Sequence, residues 1–236
     1  STGAIRIDTG DNTVTFASTL ASNNTGGLTK TGTGTLVLSG ANDYSGTTTV
    51  SEGSLIVNNT SGSGTGTGIL TVSRGATLGG SGSIAGDTTV AGTLRPGNSP
   101  GVLDFGGDLT LEGAVVMELN GLTRGTQYDG INVGGELAYG GTLTLNFGST
   151  FSEGDSFNLF DFTTTTGSFE SITLTGAYTG ALANNAGTWT GTIGGQDFSF
   201  LDSTGNLNVV PEPSTYALLL VAAAGLWAAR KRRPSN

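Results

Sequence analysis

The 236-residue chain has no cysteine and no histidine. Without cysteine there is no disulfide framework, no thiolate nucleophile and no sulfur-ligated zinc site. Without histidine the usual general base near neutral pH is missing, and so is the commonest metal ligand. Charged residues make up only 11% of the chain, and a long apolar run occurs only near its C-terminal end. What fills the sequence instead is 42 Gly and 39 Thr. Both weaken helices, whereas Thr suits strands and Gly suits the tight turns between them. The glycines follow no strict third-residue period, which excludes collagen. Composition therefore predicts an all-β protein of many short strands.

The few charges are unevenly placed. Residues 1–210 carry 5 basic and 17 acidic side chains, a net of −12, while Arg230, Lys231, Arg232 and Arg233 crowd the end. A body this acidic repels nucleic acid and, over most of its surface, anionic polysaccharide. Nucleic acid is excluded as a partner.

The tail reads Val-Val-Pro-Glu-Pro-Ser-Thr over 209–215, then an uncharged stretch ending at Ala229, then the four cations. From Ser214 to Ala229 a helix would span roughly 24 Å, against roughly 30 Å of bilayer hydrocarbon. Tyr216 and Trp227 lie near its two ends, where interfacial aromatics sit, and the basic residues can snorkel. The apolar run has no polar face, so it needs a dry environment all round. Pro211, Glu212 and Pro213, followed by the short apolar span and the arginine-rich end, resemble a PEP-CTERM sorting signal. That resemblance implies an exported protein of a Gram-negative bacterium, held briefly in the inner membrane and cut near the motif by an exosortase. It places Arg230–Arg233 in the cytoplasm. The prolines keep the segment extended and unable to join a sheet, and Glu212 is its one charged group.

Upstream, short alternations such as Leu36 and Leu38, Thr48 and Val50, and Leu55 and Val57 are separated by Gly, Asn, Asp and Ser clusters. These segments are too short to stand alone and must stack on neighbours. Lys30-Thr31-Gly32-Thr33-Gly34, Leu36, Leu38, Ser39-Gly40-Ala41-Asn42, Tyr44, Ser45-Gly46, Thr48-Thr49-Val50 and Gly53 resemble the autotransporter-associated β-strand repeat, also called the passenger-associated transport repeat, over 27–58. The resemblance implies rungs of a right-handed parallel β-helix in a surface or secreted passenger. Leu78, Ile84 and Val90 recur at six-residue steps, as three strands per turn of about 20 residues would require. Arg95–Gly101 reads as a rigid turn. Beyond it the alternating segments lengthen and gain phenylalanine, as a half-buried sheet or cap would.

The acids are candidates for a catalytic pair, because glycoside hydrolysis needs two carboxyls at set separations. Asp104 with Asp108, Glu153 with Asp155, and Asp8 with Asp11 are the near neighbours, yet Gly-Asp steps are ordinary turn residues. Tyr44, Tyr128, Tyr139, Tyr178 and Trp189 could line a sugar platform or fill the core. No calcium-loop or phosphate-loop motif is present.

These readings combine into one expectation. The fold is all-β, a right-handed parallel β-helix over 1–122 with the repeat inside it. A longer-stranded β region or cap follows over 123–208. The sorting signal occupies 209–236, with a single transmembrane helix over 214–229. The function expected is that of an exported, non-enzymatic, adhesin-like structural protein at the cell surface or outside it, with no cofactor and no metal. Its partners are the exosortase and, as a further candidate, extracellular polysaccharide. The alternative is a carbohydrate-binding or polysaccharide-degrading β-helix module. Export needs a secretory leader, which Ser1–Arg6 does not resemble. Ile5, Ile7, Val14 and Phe16 read as an earlier rung, so the sequence is expected to be a piece of a longer chain.

Overall fold

The computed structural model describes residues 3–20 and 25–211. Within them there are twenty-three strands and no helix. The first four pairs are β1 (Ile5–Asp8) with β2 (Thr13–Phe16), β3 (Leu28–Thr31) with β4 (Thr35–Leu38), β5 (Thr48–Val50) with β6 (Ser54–Val57), and β7 (Leu70–Val72) with β8 (Thr77–Gly80). Odd strands stack in parallel on the next odd strand, and even on even. Two faces of a solenoid result. Each strand is three or four residues long because a Gly or Ser turn follows it, and only stacking supplies its missing hydrogen-bond partners.

A third face is added by β9 (Ser83–Ile84). The next turn comprises β10 (Thr88–Val90), β11 (Thr93–Pro96) and β12 (Val102–Phe105), and β13 (Leu109–Leu111) and β14 (Ala114–Leu119) open the turn after it. The long β15 (Gly130–Tyr139) bends round a corner. Its Gly130–Val133 segment pairs with β12, while Leu137 and Ala138 pair with β13. Leu78, Ile84 and Val90 thus sit on three successive faces. The turn expected at Arg95–Gly101 begins after Pro96, because Arg95 and Pro96 extend β11 against Gly79 and Gly80.

Inward side chains align from rung to rung. Leu36, Leu55, Leu78, Leu94, Val115, Leu143 and Ile172 form one continuous register column, all buried. Burying each such side chain is worth about 1.5–3 kcal/mol. The first rung differs, for Ile5, Ile7, Val14 and Phe16 are only partly buried.

The parallel stack continues through β16 (Thr142–Phe147), β18 (Phe160–Gly167) and β19 (Ser171–Gly176), with β17 (Ser156–Asn158) between. Parallel pairing gives way to antiparallel after β19. From there β20 (Gly180–Asn185), β21 (Thr188–Ile193), β22 (Gln196–Leu201) and β23 (Asn206–Val210) form a meander, and β23 returns to pair with β17. Aromatic rings fill the space beneath it. Phe147 packs edge-on against Tyr178 at 5.1 Å and Phe157 at 6.4 Å, and Tyr139 against Phe160 at 5.4 Å. Each such pair adds about 0.5–1.5 kcal/mol beyond its buried area. The meander continues from the β19 edge, while β18, the last strand of the other face, pairs among the described residues only with β15.

Candidate functional site

Three places bear on function: the point where the chain leaves the body, the repeat-matching turn, and the outer face beside the Gly97–Gly101 turn. At the first, β23 is hydrogen-bonded on both edges, to β22 and to β17. Val209 is buried, its N–H donates to Asp155 O at 2.9 Å, and its carbonyl accepts from Gly154 N–H at 2.7 Å. The strand stops at Val210, and Pro211 follows, exposed. Proline has no N–H to give to the ladder, so the sheet cannot run on through it. Glu212, Pro213, Ser214, Ala229 and Arg230, Lys231, Arg232 and Arg233 lie outside the described residues, as does the expected transmembrane helix. Among the described residues no helix is long and apolar enough to cross a membrane.

In the repeat, Lys30 occupies an inward position, in register with Val50, and is fully buried. Its Nζ donates to Gly32 O at 2.8 Å, Thr9 Oγ1 at 3.0 Å and Thr31 O at 3.1 Å. Three donors meet three acceptors, so the ammonium closes the top of this rung without an orphaned group. Burial lowers its pKa, opposed by the nearby Asp8 and Glu52 charges. A lysine at a core position breaks the inward-apolar pattern, and that break was the signal available in the sequence.

The carboxylates weighed for catalysis are engaged in local structure. Asp8 Oδ1 accepts from Gly10 N–H at 2.8 Å, and Asp11 accepts from Thr33 Oγ1. Asp155 Oδ2 accepts from Ser152 N–H at 2.8 Å, while Glu153 is exposed beside it. Asp104 Oδ1 accepts from Asn132 Nδ2 at 2.6 Å, and Asp108 Oδ1 from Glu136 N–H at 2.8 Å. Asp108 N–H in turn donates to Asp87 Oδ1 at 3.0 Å, so acids step from rung to rung along one corner. Tyr44, Tyr128, Tyr139, Tyr178 and Trp189 are all buried, which rules out the surface platform. Tyr44 bonds Thr48 Oγ1 at 2.5 Å, and its phenol is pushed up to about 12 by burial. Among the described residues no cluster of acidic side chains is arranged to hold a metal ion.

Sequence reasoning did not single out Asp129. It is buried, with Oδ1 accepting from Gly101 N–H and Oδ2 from Glu118 N–H, both at 2.8 Å. Burial raises its pKa to about 6 against the pull of those two bonds. Its carboxylate pins the Gly97–Gly101 turn to β14.

The described residues therefore form a stack of parallel β rungs with one end covered by an antiparallel sheet, from which the tail emerges. Residues 28–57 match the family model of the passenger-associated-transport-repeat, and residues 209–233 match that of the PEP-CTERM protein-sorting motif. The chain carries both elements. It is 35% identical over 205 residues to the Adhesin BmaC autotransporter of Brucella suis biovar 1 (strain 1330). That match covers 82% of this chain and 5% of the relative's length.

Proposed function

We propose that this chain is an exported, non-enzymatic, adhesin-like structural protein. In this reading the body is a right-handed parallel β-helix. The segment 214–229 crosses the inner membrane transiently, with Arg230–Arg233 in the cytoplasm, and an exosortase cuts the chain near Pro211-Glu212-Pro213. The mature body then acts at the cell surface or beyond it, in a Gram-negative host. One observation carries the reading: the sorting motif starts at residue 209, where the last strand of the body is ending. A cut beyond Val210 removes no strand and exposes no core residue among the described residues, which supports a signal separable from the fold. The likeness to an adhesin passenger supports the role assigned to the body.

The test is intact-mass analysis of the protein recovered from the native host. Loss of the mass beyond the motif is expected, together with retention of the full chain in a strain lacking the exosortase. Full-length protein in the extracellular fraction of both strains would overturn the reading. Incubation of the purified body with a polysaccharide panel tests the non-enzymatic role, where release of reducing ends abolished by an acid-to-amide substitution would count against it.

A further inference from the structure

The outer face of the β6–β8–β11–β14 stack carries a groove of about 350 Å³, within the range of small-ligand sites. Its floor follows one register column. Ile56 pairs with Gly79 and Gly79 with Arg95, and Val116 lies on the next strand. Gly79 leaves a notch in this column, because a side chain there would meet Arg95 O at 2.7 Å and Ile56 Cδ1 at 3.2 Å.

The wall is the Gly97–Gly101 turn, and it is held rigid from three sides. Asp129 pins it from below, Ser99 Oγ donates to Glu118 Oε2 at 2.7 Å, and Asn98 Nδ2 donates to Asn58 Oδ1 at 3.0 Å. A wall fixed before binding lowers the ordering cost of holding a ligand.

Among the described residues Arg95 is the one basic side chain lining the groove, with the Glu118 and Asp129 carboxylates engaged by Ser99 and by backbone N–H groups on the turn side. It is exposed and makes no ion pair or side-chain hydrogen bond among the described residues, in contrast to Arg124, whose guanidinium is bonded to Asn158 O, Asn132 Oδ1 and Ile131 O. Nor do the Ser54 and Thr77 hydroxyls on the opposite rim bond to any described residue. An unpaired guanidinium over an apolar notch, faced by free hydroxyls, suits a ring with a carboxylate, several hydroxyls and one carbon-rich face. Arginine grips carboxylates through two parallel N–H donors.

We propose that this groove is a subsite for a single uronate unit within an otherwise neutral polysaccharide. The acidic body repels a dense polyanion at long range, so an isolated acid is the form the site accepts. Arg95 takes the carboxylate, Ser54 and Thr77 take ring hydroxyls, and Ile56 with Val116 takes the carbon face. The assignment rests on the surface-protein reading only for where such a ligand is met. Binding is measured on the purified chain, so it can fail while sorting stands, or hold while sorting fails.

The probe is a trisaccharide with one terminal glucuronate, compared with its methyl ester by calorimetric or NMR titration at about 0.15 M salt, where the screening length is about 8 Å. The free acid is expected to bind, with the ester at least about tenfold weaker and Arg95→Gln reducing acid binding by a similar factor. Arg74→Gln, an exposed arginine outside the groove, is the control and leaves binding unchanged. Circular dichroism confirms that each variant is folded. Absence of binding by the acid, equal binding of the ester, full affinity in Arg95→Gln, or an equal loss in Arg74→Gln each overturns the proposal.

Discussion

Glycine-to-alanine substitution at one corner of the solenoid offers a direct test of how the rungs stack. Gly92, Gly113 and Gly141 lie one above another between the first and second faces. The carbonyl of Gly92 accepts from Ala114 N–H at 2.9 Å, and that of Gly113 from Thr142 N–H at 3.0 Å. A Cβ on Gly113 would land on Gly92 O, the same oxygen that Ala114 already uses, and a Cβ on Gly141 would land on Gly113 O. Backbone on both sides cannot swing away as a flexible side chain can, so the rungs must part. Overpacking of this kind costs about 1–3 kcal/mol, and a weakened ladder bond costs about 1 kcal/mol more. Gly113→Ala is therefore expected to lose about 2–4 kcal/mol, a large share of a typical stability of about 5–15 kcal/mol. Gly75→Ala is the comparison. Its φ of 85° strains alanine, but no atom lies within 4 Å of the new methyl, so the expected loss is about 1–2 kcal/mol. Urea denaturation followed by far-ultraviolet circular dichroism measures both. The stacking argument fails if Gly113→Ala costs no more than Gly75→Ala.

Lys30→Met keeps the volume but strips three acceptors of their donor, and urea denaturation is expected to show a loss of about 2 kcal/mol in unfolding free energy. Asp129 has a folded pKa of about 6 against an ordinary 3.8, so the folded state binds the extra proton between those values. Its contribution is thus largest at low pH and is lost as pH rises from about 4 to about 6, with a swing of at most about 3 kcal/mol. Stability measured against pH should decline more steeply in wild type than in Asp129→Asn over that range. Trp189 Nε1–H donates to the buried Asp202 Oδ1 at 3.1 Å, and burial raises the pKa of that carboxyl. In a Trp227→Phe background, the fluorescence of Trp189 should titrate above the ordinary carboxylate range, and Asp202→Asn should abolish the transition.

Much of the stack was legible because each strand repeats a short rule. Leu36 and Leu38 end at Ser39-Gly40, and Leu55 and Val57 end at Asn58-Asn59, so the length of each strand shows in the residues even though Val37 and Ile56 between them are apolar as well. The six-residue steps of Leu78, Ile84 and Val90 gave the three faces, because one strand plus one turn consumes that many residues. Phe157 and Leu159 read as alternating inward residues with Phe160 out of phase, and the structure places a boundary there: Leu159 separates β17 from β18, and all three side chains are buried. Antiparallel pairing after β19 was hidden, because alternation reports which face is buried and carries no information about the direction of the neighbour. The partners of Lys30 and Asp129 were illegible for a related reason. Composition assigns charged residues to solvent, and only the fold shows three acceptors converging on the one and two N–H donors on the other.

The first and last described rungs are covered differently. At the C-terminal end the register column of leucines finishes under a sheet whose rings close the core, and β23 is paired on both edges before Pro211 ends the ladder. Ile5, Ile7, Val14 and Phe16, at inward positions of the first rung, have no such cover among the described residues and remain partly exposed. A parallel stack gains stability from each neighbour added, so an unfinished rung is stable in proportion to what is laid on it. The tail contributes no strand to this arithmetic within the described residues. Its removal at the motif is therefore expected to leave the melting temperature of the body unchanged, which calorimetry on chains ending at Pro211 and at Asn236 can measure. A drop on truncation would show that residues beyond the motif help to hold the fold, and the case for a separable signal would fall with it.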